Sequence, residues 1–365
     1  MQRGEGPEVQ RGEDNDRGCD VPAQSFQGIR QSVIRDRLIE QFLKQHGYDW
    51  QDARPLAQDA SFRRYLRLPG NDVLAGNAVL MDAPPPDNVR PFLTIAGHIH
   101  ALGLSAPRII ASDAANGLVI EEDLGDDLYS TVMTPDNAAS LLEAAIDALV
   151  VIQRAPPPVG LPAWDRAVMR DTACGTLFDW WWPAMHATHA PAAARADISE
   201  ALSTILSHLE PGPTCFVHRD FFAGNLLWLP DRSGARQTGI IDFQGAANGH
   251  PAYDLVSLLQ DARRDMPAEW EAAAITHYLA SRPELDPTAF RAAYAVCAAQ
   301  RHLRVACQWV RLARRDHRPE YLIHGPRTWR LLTRALREPA TVPLAAALDR
   351  WVPEPLRRNP PEPAS

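Results

Sequence analysis

The chain has 365 residues, 45% of them apolar and 22% charged, with a formal net charge of −8. That length supports two lobes with their own cores, the composition is ordinary for a globular protein, and the acidic balance leaves no general footprint for nucleic acid. Lys44 is the sole lysine, which excludes a Walker phosphate loop with its Gly-Lys-Ser/Thr signature.

Residues 1–27 are rich in Gly, Glu, Asp, Arg and Gln and predict a disordered tail without the apolar stretch of an export signal. The pattern is helical over 29–48, with Ile34, Leu38, Phe42 and Leu43 on one face and Gly47 at the end. Strands follow at 55–57, 62–68 and 77–81, and the turn 58–61 joins the first two. A helix over 91–102, with Pro91 in its first turn, should pack on these strands through Phe92, Ile95, Ile99 and Leu102. Two more strands at 108–111 and 117–121 complete a small five-stranded antiparallel sheet. From Asp127 to Pro353, apart from one hairpin, the chain reads as helix: 138–154, 171–185, 197–209, 251–264, 268–280, 287–315, 321–337 and 343–351. Aromatic faces stack on sugars, but the triplet Trp180, Trp181 and Trp182 reads better as core. A Pro-rich tail, 354–365, closes the chain. The five cysteines have no metal-ligand spacing and read as reduced thiols of a cytoplasmic protein, and no apolar run is long enough to span a bilayer.

The hairpin carries the chemistry. The sequence runs F-V-H-R-D-F-F-A-G-N-L-L-W-L-P from Phe216, G-I-I-D-F-Q from Gly239 and G-H-P-A-Y-D-L from Gly249. Strands at 226–229 and 239–241 around a turn at 230–234 would bring Asp242 beside Asn225, with Asp220 on the loop before them. Phosphoryl transfer needs a carboxylate to take the proton of the attacking hydroxyl and oxygen ligands for Mg²⁺ on the nucleotide phosphates. His-Arg-Asp-x₄-Asn followed by Ile-Asp-Phe matches that requirement. Asp220 is the candidate base, and Asn225 and Asp242 are the candidate metal ligands.

This stretch resembles the aminoglycoside phosphotransferase-like branch of the protein-kinase fold. The match is closer to the bacterial anomeric kinases that phosphorylate N-acetylmuramate and N-acetylglucosamine in cell-wall recycling. S-F-R-R-Y-L-R-L from Ser61, M-D-A-P-P from Met81, E-E-D-L-G-D from Glu121, D-A-R-R-D from Asp261 and A-A-Q-R-H-L-R from Ala298 carry the closer match, which covers residues 30–352. The resemblance implies a bilobal α+β fold: a small antiparallel-sheet lobe with one main helix, 28–123, binding ATP, and a larger, mainly helical lobe, 124–353, holding the catalytic loop and the substrate. It implies a Mg²⁺- and ATP-dependent sugar 1-kinase whose partners are a sugar and a nucleotide, with no membrane, nucleic acid or obligate protein partner. The alternatives are an aminoglycoside, choline or fructosamine type of small-molecule kinase, or a pseudokinase that binds without catalysis.

Site residues follow from the same resemblance. Glu122 and Leu124 fall where backbone groups pair with adenine. Met81 falls at the position where family members carry a phosphate-binding lysine, and the helix 91–102 has no carboxylate to pair with one. Ser61 then either donates to a phosphate or caps its turn, and Arg63, Arg64 or Arg67 replaces the lysine or lines a solvated strand edge. Strand alternation places Arg63 and Arg67 on one face and Arg64 on the other. His218 and Asp254 should support the catalytic loop. The lactyl carboxylate of N-acetylmuramate calls for arginine. Gln300, Arg301, Arg304 and Gln308 on the helix 287–315, with Asp261 and Arg263, are the candidates; the alternative is an exposed polar helix face.

Overall fold

The structure is a computed structural model that describes residues 23–56, 63–70, 76–210 and 212–361. Ser61 with its turn, residues 1–22 of the expected tail and residues 362–365 lie outside the described residues. The chain divides into two units, Met1–Ala53 and Arg54–Ser365. In the first, α1 (Ala23–Gln45) starts earlier than the periodicity indicates, inside the expected tail. Gly47 turns the chain at φ +80°, and the Asp49 carboxylate accepts from Gln51 N at 2.9 Å to cap the short turn that follows. Ile34 is 67% exposed, while Ile39, Phe42 and Leu43 are buried.

The second unit opens with a sheet of β1 (Arg54–Pro55), β2 (Arg64–Leu68), β3 (Ala78–Asp82), β4 (Ile109–Asp113) and β5 (Leu118–Glu122). Its order is β1-β2-β3-β5-β4 with every pair antiparallel, as the alternation implies. Between β3 and β4, α2 (Arg90–Ala101) buries Phe92, Ile95 and Ile99 in one core with Met81 and Val119 of the sheet. The turn into β5 needs glycine: Gly117 has φ +66°, and a Cβ there would meet Ala83 O at 1.9 Å.

The remainder is mainly helical: α3 (Tyr129–Val132), α4 (Ala138–Arg154), α5 (Arg166–Thr176), α6 (Trp182–His186), α7 (Ala192–Leu206), α8 (Ala252–Leu259), α9 (Ala268–Ala280), α10 (Pro287–Arg315), α11 (Gly325–Ala335) and α12 (Val342–Trp351). This is the expected α+β division into a small sheet lobe and a larger helical one.

Three expected helices come out differently. The helix at 251–264 stops at Leu259 because Gln260 leaves helical geometry (φ −120°, ψ 55°) and donates to Glu271 at 2.7 Å, so the run 261–265 is a loop. A π-turn at Leu177–Trp181 separates α5 from α6, and a 3₁₀ turn at Pro319–His324 precedes α11. Trp181 and Trp182 are core as expected, while Trp180 is half-buried; the Trp181 indole packs 5.5 Å from Trp329 and donates to Arg358 O at 2.9 Å. That bond docks part of the Pro-rich tail on the helices.

Five short strands complete the fold. β6 (Ala163–Trp164), β7 (Cys215–Val217) and β10 (Ala247–Gly249) form a three-stranded sheet in the order β6-β10-β7, and β8 (Leu226–Trp228) pairs with β9 (Thr238–Ile240). Segments as short as β6 and β10 have no readable periodicity. Among the described residues no helix is long and apolar enough to cross a membrane.

Candidate active site

The catalytic-loop candidate is anchored from behind. Asp254, in the first turn of α8 and fully buried, accepts His218 N at 2.6 Å and Arg219 N at 2.9 Å. Burial pushes its carboxyl up to about 7 against the pull of those two donors. Arg219 has φ +75°, a conformation that costs a non-glycine residue about 1–3 kcal/mol. Three contacts hold it there: the Asp254 bond, Nη1 donating to Gly245 O at 3.1 Å, and the guanidinium 4.1 Å above the Trp164 ring. Removing the Asp254 carboxylate would leave two buried N–H groups unpaired at about 1–3 kcal/mol each, so its loss should destabilise the loop and the fold together.

His218 ties this loop to the next one. Burial pushes its imidazole down to about 4, so it is neutral. Nε2 donates to Ile241 O at 3.0 Å, and Nδ1 accepts from Asp220 N at 3.3 Å. The residues before Asp242 and at Asp220 are thereby fixed to one ring.

The β8–β9 hairpin sets the other side. Leu226 pairs with Ile240 and Trp228 with Thr238, and Ile241 N donates to Asn225 O at 3.1 Å, so Asn225 and Asp242 leave the hairpin's open end together. Asn225 Nδ2 donates to Asp220 O at 2.9 Å and to Asp242 Oδ2 at 3.3 Å. Asp242 itself is left-handed, at φ 60° and ψ 35°, and Gln244 Nε2 donates to its Oδ1 at 2.7 Å. Phe243, the next residue, stacks on Phe92 of α2 with ring centroids 4.8 Å apart. An aromatic contact therefore couples α2 to this loop where the helix offers no carboxylate. The Asp242 carboxylate and the Asn225 amide oxygen are hard donors suited to Mg²⁺ whose remaining positions phosphate oxygens and water would fill. Accordingly, no group of three or more His, Cys, Asp or Glu side chains among the described residues could hold a metal by itself.

These side chains open into a cleft of about 1100 Å³ between the sheet and the helices. Of the residues expected from the sequence, Asp220, Asn225, Asp242, Arg63, Glu122, Leu124, Asp261, Arg263, Arg301 and Arg304 line it. Three do not. Arg64 points to the other face of β2 and pairs with Asp82 at 2.6 Å, as strand alternation requires. Met81 is fully buried, and its sulfur sits 3.8 Å below Arg63 Nη1. Gln300 is fully buried, with Nε2 donating to Met169 O at 2.7 Å.

Arg63 thus overlies the position where a lysine would stand. It is 6% exposed, and Asp87, in the turn before α2, accepts from Nε at 2.8 Å and from Nη2 at 3.2 Å. This Arg–Asp pair has the charges of the missing Lys–Glu pair, built from different positions. Asp87 carries no sequence signal, because its role depends on a contact across 24 residues. Deeper in the cleft, Arg301 Nε and Nη1 and Arg304 Nε have no hydrogen-bond partner among the described residues, although Arg301 is only 4% exposed. Arg304 Nη2 donates to Tyr253 Oη at 3.3 Å. Arg219 and Gln244 were also missed, although they lie inside the quoted motifs.

A small antiparallel sheet over a helical lobe, with a basic side chain on the sheet and an Asp-Asn-Asp constellation below, defines a phosphotransferase of the kinase-like kind. Residues 52–291 match the phosphotransferase enzyme family, and the chain belongs to that family. It is 38% identical to the N-acetylmuramate/N-acetylglucosamine kinase of Caulobacter vibrioides, over 90% of this chain and 99% of that one. It is 35% identical to the protein of the same name in Pseudomonas aeruginosa, over 80% and 87%. The choline kinase of Streptococcus pneumoniae has the same fold, with a TM-score of 0.59 over 82% of this chain and 98% of that one, at 13% identity.

Proposed function

We propose that this protein uses ATP and Mg²⁺ to phosphorylate the anomeric hydroxyl of N-acetylmuramate and N-acetylglucosamine in the cytoplasm. The names of the two relatives support the sugar class. The observation that carries the choice within this cleft is the set of buried N–H groups of Arg301, a buried residue, and of half-buried Arg304 that have no hydrogen-bond partner among the described residues. A buried guanidinium is costly without a complement, and a lactyl carboxylate or sugar hydroxyls supply one. Arg304 acts as a like charge on both Arg219 and Arg301, so a cationic aminoglycoside or choline would meet repulsion from these guanidiniums. The four described cysteines are free thiols, which suits a reducing compartment.

In this reading Asp220 takes the proton of the acceptor hydroxyl. Asn225 and Asp242 would hold Mg²⁺, which when bound neutralises charge on the transferring phosphate. His218 and Asp254 fix the loop, and the backbone N–H of Leu124, just past β5 and without a hydrogen-bond acceptor among the described residues, donates to the base edge. The anomeric hydroxyl is the more acidic one because the ring oxygen withdraws charge, so a single aspartate suffices to assist it. Phosphorus–proton coupling in the product's NMR spectrum should place the phosphate on the anomeric carbon and show loss of the reducing end. A 6-phosphate, or turnover of aminoglycosides and neither sugar, rejects the assignment.

Arg63 supplies the cation on the donor phosphates. Arg63→Met should lower kcat/KM for ATP by roughly 10²–10³-fold, the range for losing one charge-stabilising donor. Asp87→Asn should give a smaller loss by releasing the guanidinium. Steady-state kinetics near the parent's in a folded Arg63→Met variant would confine Arg63 to a structural ion pair.

A further inference from the structure

Glu121 lines the cleft, and the mechanism above does not use it. It stands in β5 opposite Val79 of β3 and Ile109 of β4. Only 6% of it is exposed, and its Oε2 has no hydrogen-bond partner among the described residues. The next residue differs: Arg232 binds the Glu122 carboxylate at 2.7 Å. The ionisable groups acting on Glu121 come from the neighbouring strand region, Arg63 and Tyr65. Arg63 is engaged by Asp87 at 2.8 and 3.2 Å, so it does not satisfy the second carboxyl. A buried carboxyl with an orphaned oxygen in a ligand cleft is completed by a ligand or remains a defect. Three residues on, Leu124 lines the same cleft, with Val79 and Leu227 as further apolar lining. Val79 pairs with Glu121 across β3 and β5, so a flat heterocycle seated against Val79 with one edge on the Leu124 backbone would turn its neighbouring edge to Glu121.

We propose that Glu121 selects the nucleobase of the phosphate donor, its carboxyl group hydrogen-bonding the N6/N7 edge of adenine and rejecting guanine. The proposal rests on the reading of this cleft as the nucleotide site of a kinase. Burial pushes the carboxyl up to about 8 against the pull of Arg63, so it carries its proton at neutral pH. Its carbonyl oxygen then accepts from adenine N6–H, and its hydroxyl donates to N7. Guanine presents two acceptors on that edge, O6 and N7. Either orientation of a single carboxyl sets an acceptor against an acceptor. A glutamine side chain carries the same donor–acceptor pair as the protonated acid, and an alkyl side chain carries neither.

The test is kcat/KM for ATP and GTP, with ADP and GDP binding by calorimetry, in the parent, Glu121→Gln and Glu121→Leu. The parent and the Gln variant should prefer adenine. The Leu variant should lose about tenfold or more of the ATP/GTP ratio, through KM for ATP. Its melting temperature should hold or rise, because the orphaned oxygen is gone. Glu121→Met serves the same comparison if the Leu variant does not fold. A ratio unchanged in the alkyl variants, or a parent indifferent to the base, overturns the proposal. A parent that binds ADP without turning over ATP rejects the kinase reading, while the ADP/GDP binding ratios still decide on Glu121. A parent that binds neither nucleotide overturns both.

Discussion

Asp220→Asn is expected to bind ATP as the parent does and to lose turnover by roughly 10²–10⁴-fold, the usual contribution of a positioned general base. The substitution is close to isosteric, and the main-chain work of the residue survives it. Asp220 O still accepts from Asn225 Nδ2, and Asp220 N still donates to His218 Nδ1. No hydrogen bond or ion pair engages the Asp220 carboxylate among the described residues, and it faces the cleft. Only the proton acceptor is removed, so the loss should fall on kcat. Product formation from N-acetylglucosamine, beside calorimetric ATP binding, separates the two effects. A folded variant with near-parental turnover removes Asp220 from the mechanism.

The centre of this site was legible because its parts are close in sequence. His218, Asp220 and Asn225 share one loop, and a single hairpin returns the chain to Asp242, so spacing alone implies that they converge. Strand alternation separated Arg63 from Arg64 for the same local reason. The helix α10 shows where local reasoning fails. Gln300, Arg304 and Gln308 recur every four residues, which looks like one face. At about 100° per residue each step of four drifts by about 40°. Arg301, Arg304, Gln308 and Arg311 line the cleft, while Gln300, about 100° from Arg301, turns into the core toward Met169. A 29-residue helix packed among other helices has more than one buried face. Asp87 was not readable at all. It becomes a partner of Arg63 only through the fold of the small lobe, and its turn carries no pattern of its own. Glu121 ends the expected strand 117–121 with no role that its sequence position assigns; only the fold buries its carboxyl while leaving the carboxylate of Glu122 for Arg232.

Asp242→Asn should abolish the stimulation of nucleotide binding by Mg²⁺, weakening Mg²⁺-nucleotide affinity by more than about 10²-fold, the upper end of what even an outer-sphere partner costs. Asparagine is the right replacement. Asp242 sits at φ 60°, which asparagine tolerates and alanine resists, so an alanine variant would mix backbone strain with ligand loss. The amide keeps the volume beside Asn225 and Gln244 but removes the negative charge that a divalent cation needs. Metal-free nucleotide binding should be little changed or stronger, because a carboxylate facing the phosphates is gone. That sign distinguishes a lost metal ligand from a damaged pocket, in which both affinities would fall. Titrating ATP with and without Mg²⁺ into the parent and the variant reads it directly. An unchanged Mg²⁺ dependence in the variant would show that Asp242 does not hold the metal.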